Sequence, residues 1–121
     1  MAKILIAEDD LFLRDIYVEI LNKEPFEITT AVDGMEALEK FKLGNWDLVL
    51  LDVLMPKMSG VDILKELREI NPHTLAKKIV LMTNSDDQKR FEEIISLTDG
   101  YILKSAYTPE ALVVKVKEYL Q

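Results

Sequence analysis

The sequence predicts an α/β protein: a doubly wound, five-stranded parallel sheet covered by helices on both faces. Three observations predict it. Short apolar runs, several rich in β-branched residues, alternate with segments of helical apolar spacing, five times along 121 residues. One run, LVLL at 48–51, is apolar at every position, as a strand buried on both faces would be. The runs also end in charged or hydroxyl residues, where open α/β sheets form their binding crevices.

Each element follows from local signals. Residues 3–7 (KILIA) read as strand one. Leu11, Leu13, Ile16, Tyr17, Ile20 and Leu21 recur at helical spacing, so helix one runs to about residue 24. Asp10 is its N-cap and Pro25 its stop. Residues 26–31 read as strand two, and Asp33-Gly34 as a turn. Helix two covers 35–43, with Ala37, Leu38 and Phe41 inward and Gly44 as its C-terminal stop.

Strand three is 48–51, and Pro56 and Gly60 punctuate the loop after it. Helix three covers 61–69 with Leu64 and Leu67 inward, and Asn71-Pro72 breaks it. Strand four is 78–82. Helix four spans 86–97 with Phe91, Ile94 and Ile95 as its stripe, and strand five is 100–103. Thr108-Pro109-Glu110 opens helix five with a cap, a proline at the first helical position and an acid near the positive dipole end. Leu112, Val113, Val116 and Leu120 face its core side. Five such units imply right-handed crossovers and a flavodoxin-like (βα)5 fold with strand order 2-1-3-4-5.

Composition narrows the function. With 49% apolar residues the chain has enough material for one core. No apolar stretch approaches the ~20 residues of a membrane span, and the N-terminus does not read as a signal peptide, so a cytoplasmic protein is expected. The absence of cysteine removes thiol catalysis and zinc–thiolate sites. Net charge is −7, from 22 acids and 15 scattered bases, which disfavours direct nucleic-acid binding.

The strand ends carry the chemistry. Strand one ends in Glu8-Asp9-Asp10, strand three in Asp52, strand four in Thr83 and strand five in Lys104. In the order 2-1-3-4-5 these four strands are neighbours about 4.8 Å apart, so their ends converge on one crevice. Glu8, Asp9 and Asp52 would repel unless a cation joined them. An all-oxygen set suits Mg²⁺, which often bridges carboxylate and phosphate. With Lys104 and the Thr83 hydroxyl beside it, the set reads as a phosphoryl site with Asp52 as nucleophile. Single residues read more blandly. Asp10 is a helix cap, His73 a solvent-exposed loop residue, Trp46 a packing residue far from the crevice, and Met55, Met58 and Met82 fill gaps.

The sequence resembles the receiver domain of two-component response regulators, of which the single-domain chemotaxis regulator is the best-known type. The resemblance rests on KILIAEDD, LVLLDVLMPKMSG, IVLMTN and GYILKS, in that order and at the right strand ends, and covers residues 1–121 as one domain. It implies that Asp52 is the phosphoacceptor, that Glu8 and Asp9 are the acidic pair holding Mg²⁺, and that the Leu54 backbone carbonyl is a further ligand. It implies that Thr83 is the switch hydroxyl, Lys104 the phosphoryl-pairing lysine and Tyr101 the aromatic switch. A sensor histidine kinase or phosphotransfer protein would be the donor. The readout would be a downstream output protein or an output domain outside this chain, through the helix 4–strand 5–helix 5 face. A phosphorylation-dependent homodimer is compatible with the sequence. Two departures stand out: Ser105 follows Lys104 where the family usually has proline and a cis peptide, and Asn84 follows Thr83 where a small residue is usual.

Two other classes compete. A Mg²⁺-dependent aspartyl-nucleophile phosphohydrolase would need a second acid or base beside Asp52 and a substrate-covering cap. Position 54 is a leucine, and no insertion is long enough for a cap. A receiver-like interaction module that is never phosphorylated would be marked by loss of an acid or the lysine, and none is lost.

Overall fold

A computed structural model of the chain describes residues 1–84, 92 and 94–121. Five strands form one parallel sheet: β1 (Ala2–Ala7), β2 (Phe26–Ala31), β3 (Trp46–Asp52), β4 (Ala76–Thr83) and β5 (Gly100–Leu103). Their order is β2-β1-β3-β4-β5, as the sequence predicts. Four α-helices lie among the described residues: α1 (Leu11–Leu21), α2 (Gly34–Phe41), α3 (Gly60–Leu67) and α4 (Pro109–Leu120). The last corresponds to the predicted fifth helix. Most of the predicted fourth helix, including Phe91, lies outside the described residues. Of its remaining stripe, Ile94 is buried, but Ile95 is 41% exposed within a short 3-10 turn, so Ile95 does not face the core.

Strand periodicity sorts the core into two layers. Ile4, Ile6, Leu48, Leu50, Val80, Met82 and Ile102 point to one face and pack with Tyr17 and Leu21 of α1 and Leu112 and Val116 of α4. Leu5, Ala7, Val49, Leu51, Ile79 and Leu81 point to the other and pack with α2 and α3. LVLL is fully apolar because it feeds both layers at once. Each large aliphatic side chain buried this way contributes about 1.5–3 kcal/mol.

Several boundaries differ from the sequence reading. Helix α1 stops at Leu21, the last residue of its apolar stripe and short of the expected residue 24. Asn22 caps it, and the polar Asn-Lys-Glu run before Pro25 forms a turn in which the Glu24 amide donates to the Leu21 carbonyl at 3.1 Å. Asp33-Gly34 is not a free turn. Asp33 caps α2, accepting from the Glu36 amide at 2.9 Å, and Gly34 is the first helical residue. The helix ends at Phe41, not residue 43, and Gly44 follows with φ +75°. Helix α3 gives way after Leu67 to a 3-10 turn at Arg68–Ile70. Strands β3 and β4 are longer than expected, so Trp46 and Asp52 are the first and last residues of one strand. The caps Asp10 and Thr108 are where the sequence put them.

Candidate functional site

The register builds the site. Ala7 pairs with Leu51, and one step on, the Glu8 amide donates to the Ala31 carbonyl at 3.0 Å, so β1 delivers Glu8 level with Asp52. Asp52 pairs with Met82, and Met82 with Ile102. Glu8 and Asp52 continue the even-numbered face of their strands, and Lys104, two residues past Ile102, continues the same face. Thr83 and Tyr101 continue the other. Charge therefore gathers on one side of the strand ends and the two switch candidates on the other.

The Lys104 ammonium bridges both acids, donating to Glu8 Oε1 at 2.5 Å and Asp52 Oδ2 at 2.8 Å. All three side chains are buried. The second Glu8 oxygen accepts from the Asp10 amide at 3.2 Å, and the second Asp52 oxygen from the Leu54 amide at 3.3 Å. The Asp9 side chain is exposed at the rim. Together with Asp10, Leu13, Leu54, Thr83 and Asn84 these residues line a crevice of about 300 Å³. Thr83 is buried, and Tyr101 packs half-buried against the α2/α3 core layer.

The charges do not balance. Three carboxylates and one ammonium leave a formal −2. Burial and the adjoining Glu8 carboxyl push Asp52 up to about 7, against the pull of Lys104. For Lys104 burial acts downward, but its hydrogen bonds to Asp52 and Glu8 outweigh it and the ammonium is held above its ordinary range. Carboxylate oxygens of Glu8, Asp9 and Asp52 lie within 4.8 Å of one another. Opposite ligands of an octahedral Mg²⁺ are about 4 Å apart, so this donor set fits a small, hard divalent cation.

The structure thus brings together Glu8, Asp9, Asp52, Thr83 and Lys104, with Leu54 on the loop directly after Asp52. Tyr101 lies one layer away. The Lys104–Ser105 peptide is trans, and Lys104 opens a 3-10 turn, so the missing proline leaves a different loop rather than a retained cis bond. His73 is exposed as expected, with Nε2 2.9 Å from Asp99 Oδ2. Sequence reasoning missed Arg14, whose guanidinium donates to the Glu8 and Asp9 carbonyls at 2.9 and 3.4 Å. Its place one turn into α1, past the acidic pair, was the available signal. Sequence reasoning also missed the Lys104–Glu8 contact, which has no local signal.

This geometry can be set beside known proteins. The family description "Response regulator receiver domain" matches residues 4–117. The chain belongs to the response regulator receiver family. Among curated relatives, this receiver is 32% identical to the sensory transduction protein RegX3 of Mycobacterium tuberculosis over 124 residues, covering 100% of this chain and 52% of RegX3. The receiver therefore spans about half the length of the curated relatives it matches. Among solved structures it is similar to the Thermotoga maritima response regulator TrrA in complex with Mg²⁺-BeF, with 37% identity, TM-score 0.79, and 98% and 99% of the two chains covered. It is also similar to the Vibrio cholerae chemotaxis protein CheY4, at 28% identity and TM-score 0.83, with 98% of each chain covered. The receiver is a signalling domain of two-component systems. Neither the phosphohydrolase nor the phosphorylation-free module finds support. Among the described residues no helix is long and apolar enough to cross a membrane.

Proposed function

We propose that Asp52 is the phosphoacceptor of this receiver and that residues 1–121 act as one phosphorylation-driven switch. The observation that carries this is the convergence of Glu8, Asp9, Asp52 and Lys104 from three separate strand ends on one crevice with surplus negative charge. Asp52 attacks the phosphorus of a phosphohistidine. The P–N bond breaks, imidazole leaves, and an aspartyl phosphate forms. Glu8, Asp9, Asp52 and the Leu54 carbonyl would hold Mg²⁺, which would supply positive charge for the phosphoryl oxygens and favour the ionised form of Asp52. Lys104 gives up Asp52 and pairs with a phosphoryl oxygen, and the Thr83 hydroxyl donates to another. Tyr101 shares the Thr83 face and turns inward in response. The surface formed by the segment before β5, by β5 and by α4 changes as a result.

On this reading the domain turns over no external substrate; its chemistry is self-phosphorylation and autodephosphorylation. Its donor is a sensor histidine kinase or a phosphotransfer protein, its compartment the cytoplasm. Its output is a partner, a phosphorylation-dependent dimer, or an output segment such as the remaining half of the longer relatives could supply.

Intact mass after incubation with acetyl phosphate or phosphoramidate and Mg²⁺ tests the proposal. The wild-type chain should gain one phosphoryl group, Asp47→Asn should gain it too, and Asp52→Asn should not. No adduct under rapid sampling, or an adduct retained by Asp52→Asn, would sink it.

A further inference from the structure

The loop that carries Leu54 covers 53–59, between β3 and α3. Its stem is fixed by the sheet: the Val53 amide donates to the Met82 carbonyl at 3.0 Å, and the Gly60 amide to the Val53 carbonyl at 2.9 Å. Its tip is fixed from elsewhere. The Gly34 amide, at the start of α2, donates to the Pro56 carbonyl at 3.1 Å, and the Met58 amide donates to the same oxygen at 2.8 Å. Beside it, Lys57 Nζ lies 3.3 Å from Asp33 Oδ2, while Asp33 Oδ1 caps α2. The amide of Glu36, and after it Lys57, hold the Asp33 carboxyl below its ordinary range, so it is charged where it meets the loop.

The fit at this clamp is close. A Cβ on Gly34 would lie 1.8 Å from the Met58 carbonyl oxygen, so any side chain there must push the loop away. Lys57 has φ +72°, a left-handed conformation that a lysine rarely adopts and that its surroundings must hold. Between the stem anchors at Val53 and the Leu54 amide and the tip anchor at Pro56 there are only Leu54 and Met55. These anchors on either side restrict how far the Leu54–Met55 peptide, and with it the Leu54 carbonyl, moves.

We infer that Asp33 and Gly34 are positioning residues for the metal: the β2–α2 junction, across β1 from the crevice, sets where the Leu54 carbonyl stands and so how tightly Mg²⁺ is held. This rests on the metal site proposed above. Altering a group that holds a metal ligand commonly changes affinity about 10–100-fold; Gly34 acts one step further out, through Pro56 and Met58, so the low end of that range is expected. The Asp33–Lys57 pair is more exposed and contributes less.

Calorimetric titration of the 121-residue chain with Mg²⁺ tests this, with Gly34→Ala and Asp33→Asn beside wild type. Asparagine caps a helix as well as aspartate does, so Asp33→Asn removes only the charge that Lys57 meets. Gly34→Ala should weaken Mg²⁺ binding by about tenfold, and Asp33→Asn by about twofold at low ionic strength. In both, phosphorylation by acetyl phosphate at saturating Mg²⁺ should stay near the wild-type rate. Amide exchange at Gly60 should quicken in Gly34→Ala even without metal. Wild type that binds no Mg²⁺ would sink the metal site itself. Wild type that binds, with a folded Gly34→Ala of equal affinity, would overturn this inference alone. So would loss of rate at saturating Mg²⁺ in step with affinity, which marks general damage. Should Gly34→Ala not fold, Asp33→Asn decides: unchanged affinity overturns the inference.

Discussion

Strand β3 has an aspartate near each end, and the two have opposite fates. Asp47 accepts from the Lys3 amide at 2.7 Å and faces Lys77 Nζ at 3.1 Å, with its side chain 28% exposed. Those groups, the amide first, hold its carboxyl below the ordinary value. Asp52, five residues on, is buried beside Glu8 and pushed up to about 7. The hollow at the Asp47 end is as large, about 340 Å³, but its acid is paired with Lys77, and Lys78 also lines the hollow. At the Asp52 end three acids share one lysine. A satisfied anion holds structure together, whereas an anion that its surroundings leave underpaid in positive charge is poised to take up a cation or a phosphoryl group.

The largest test of this contrast is removal of each lysine. Lys104→Met should destabilise the metal-free chain by about 3 kcal/mol or more at pH 8, because it leaves two buried carboxylates without their partner. Lys77→Met should cost less than about 1 kcal/mol, since Lys77 is mostly exposed. Denaturant titration of both variants would break the comparison if the two losses were equal.

A second test uses pH. The folded pKa of Asp52 lies above its unfolded value, so between about 4 and 7 the folded state binds the extra proton, and Asp52 lowers stability as pH rises. Between pH 5 and 8 the drop should be on the order of 2–3 kcal/mol larger in wild type than in Asp52→Asn. Asp47 acts with the opposite sign. Its folded pKa is depressed, so its contribution is present above the unfolded value and is lost as pH falls below about 4. Unfolding curves that run parallel for wild type and Asp52→Asn from pH 5 to 8 would remove the poised-anion argument.

The smallest expected effect is optical. Trp46 is buried at the Asp47 end, its indole donating to the Lys40 and Phe41 carbonyls at 3.0 and 3.3 Å, with the Lys3 ammonium 4.5 Å from the ring centroid. It is six residues from Asp52 along an extended strand, or about 20 Å. Mg²⁺ or acetyl phosphate should leave its emission wavelength unchanged. A clear shift would mean that the two ends of β3 are coupled.

Much of this was legible in the chain. Period-two patterning and strand-end residues placed Glu8, Asp9, Asp52, Thr83 and Lys104 in one crevice before any coordinates. The caps Asp10 and Thr108 were readable because a cap bonds only three residues away. Asp33 was misread as a turn because Asp-Gly is a strong turn signal, although its capping partner Glu36 is only three residues away; its contact with Lys57, remote in sequence, was not readable. The end of α1 was misjudged because Pro25 was taken as the stop, whereas the apolar stripe already ends at Leu21 and Asn22 caps the helix there.

The sequence by itself therefore pointed to the elements, the two core layers and the strand-end residues, which depend on local propensity and alternation, and to the sheet order through the rules that govern how βα units connect. It put Asp52, and not Asp47, at the crevice, but it did not show that the two carboxyls are shifted in opposite directions. Only the tertiary structure did so. The groups that set their charge, Lys3 for the one and Glu8 and Lys104 for the other, are 44, 44 and 52 residues away in the chain, and burial is a property of the packed whole.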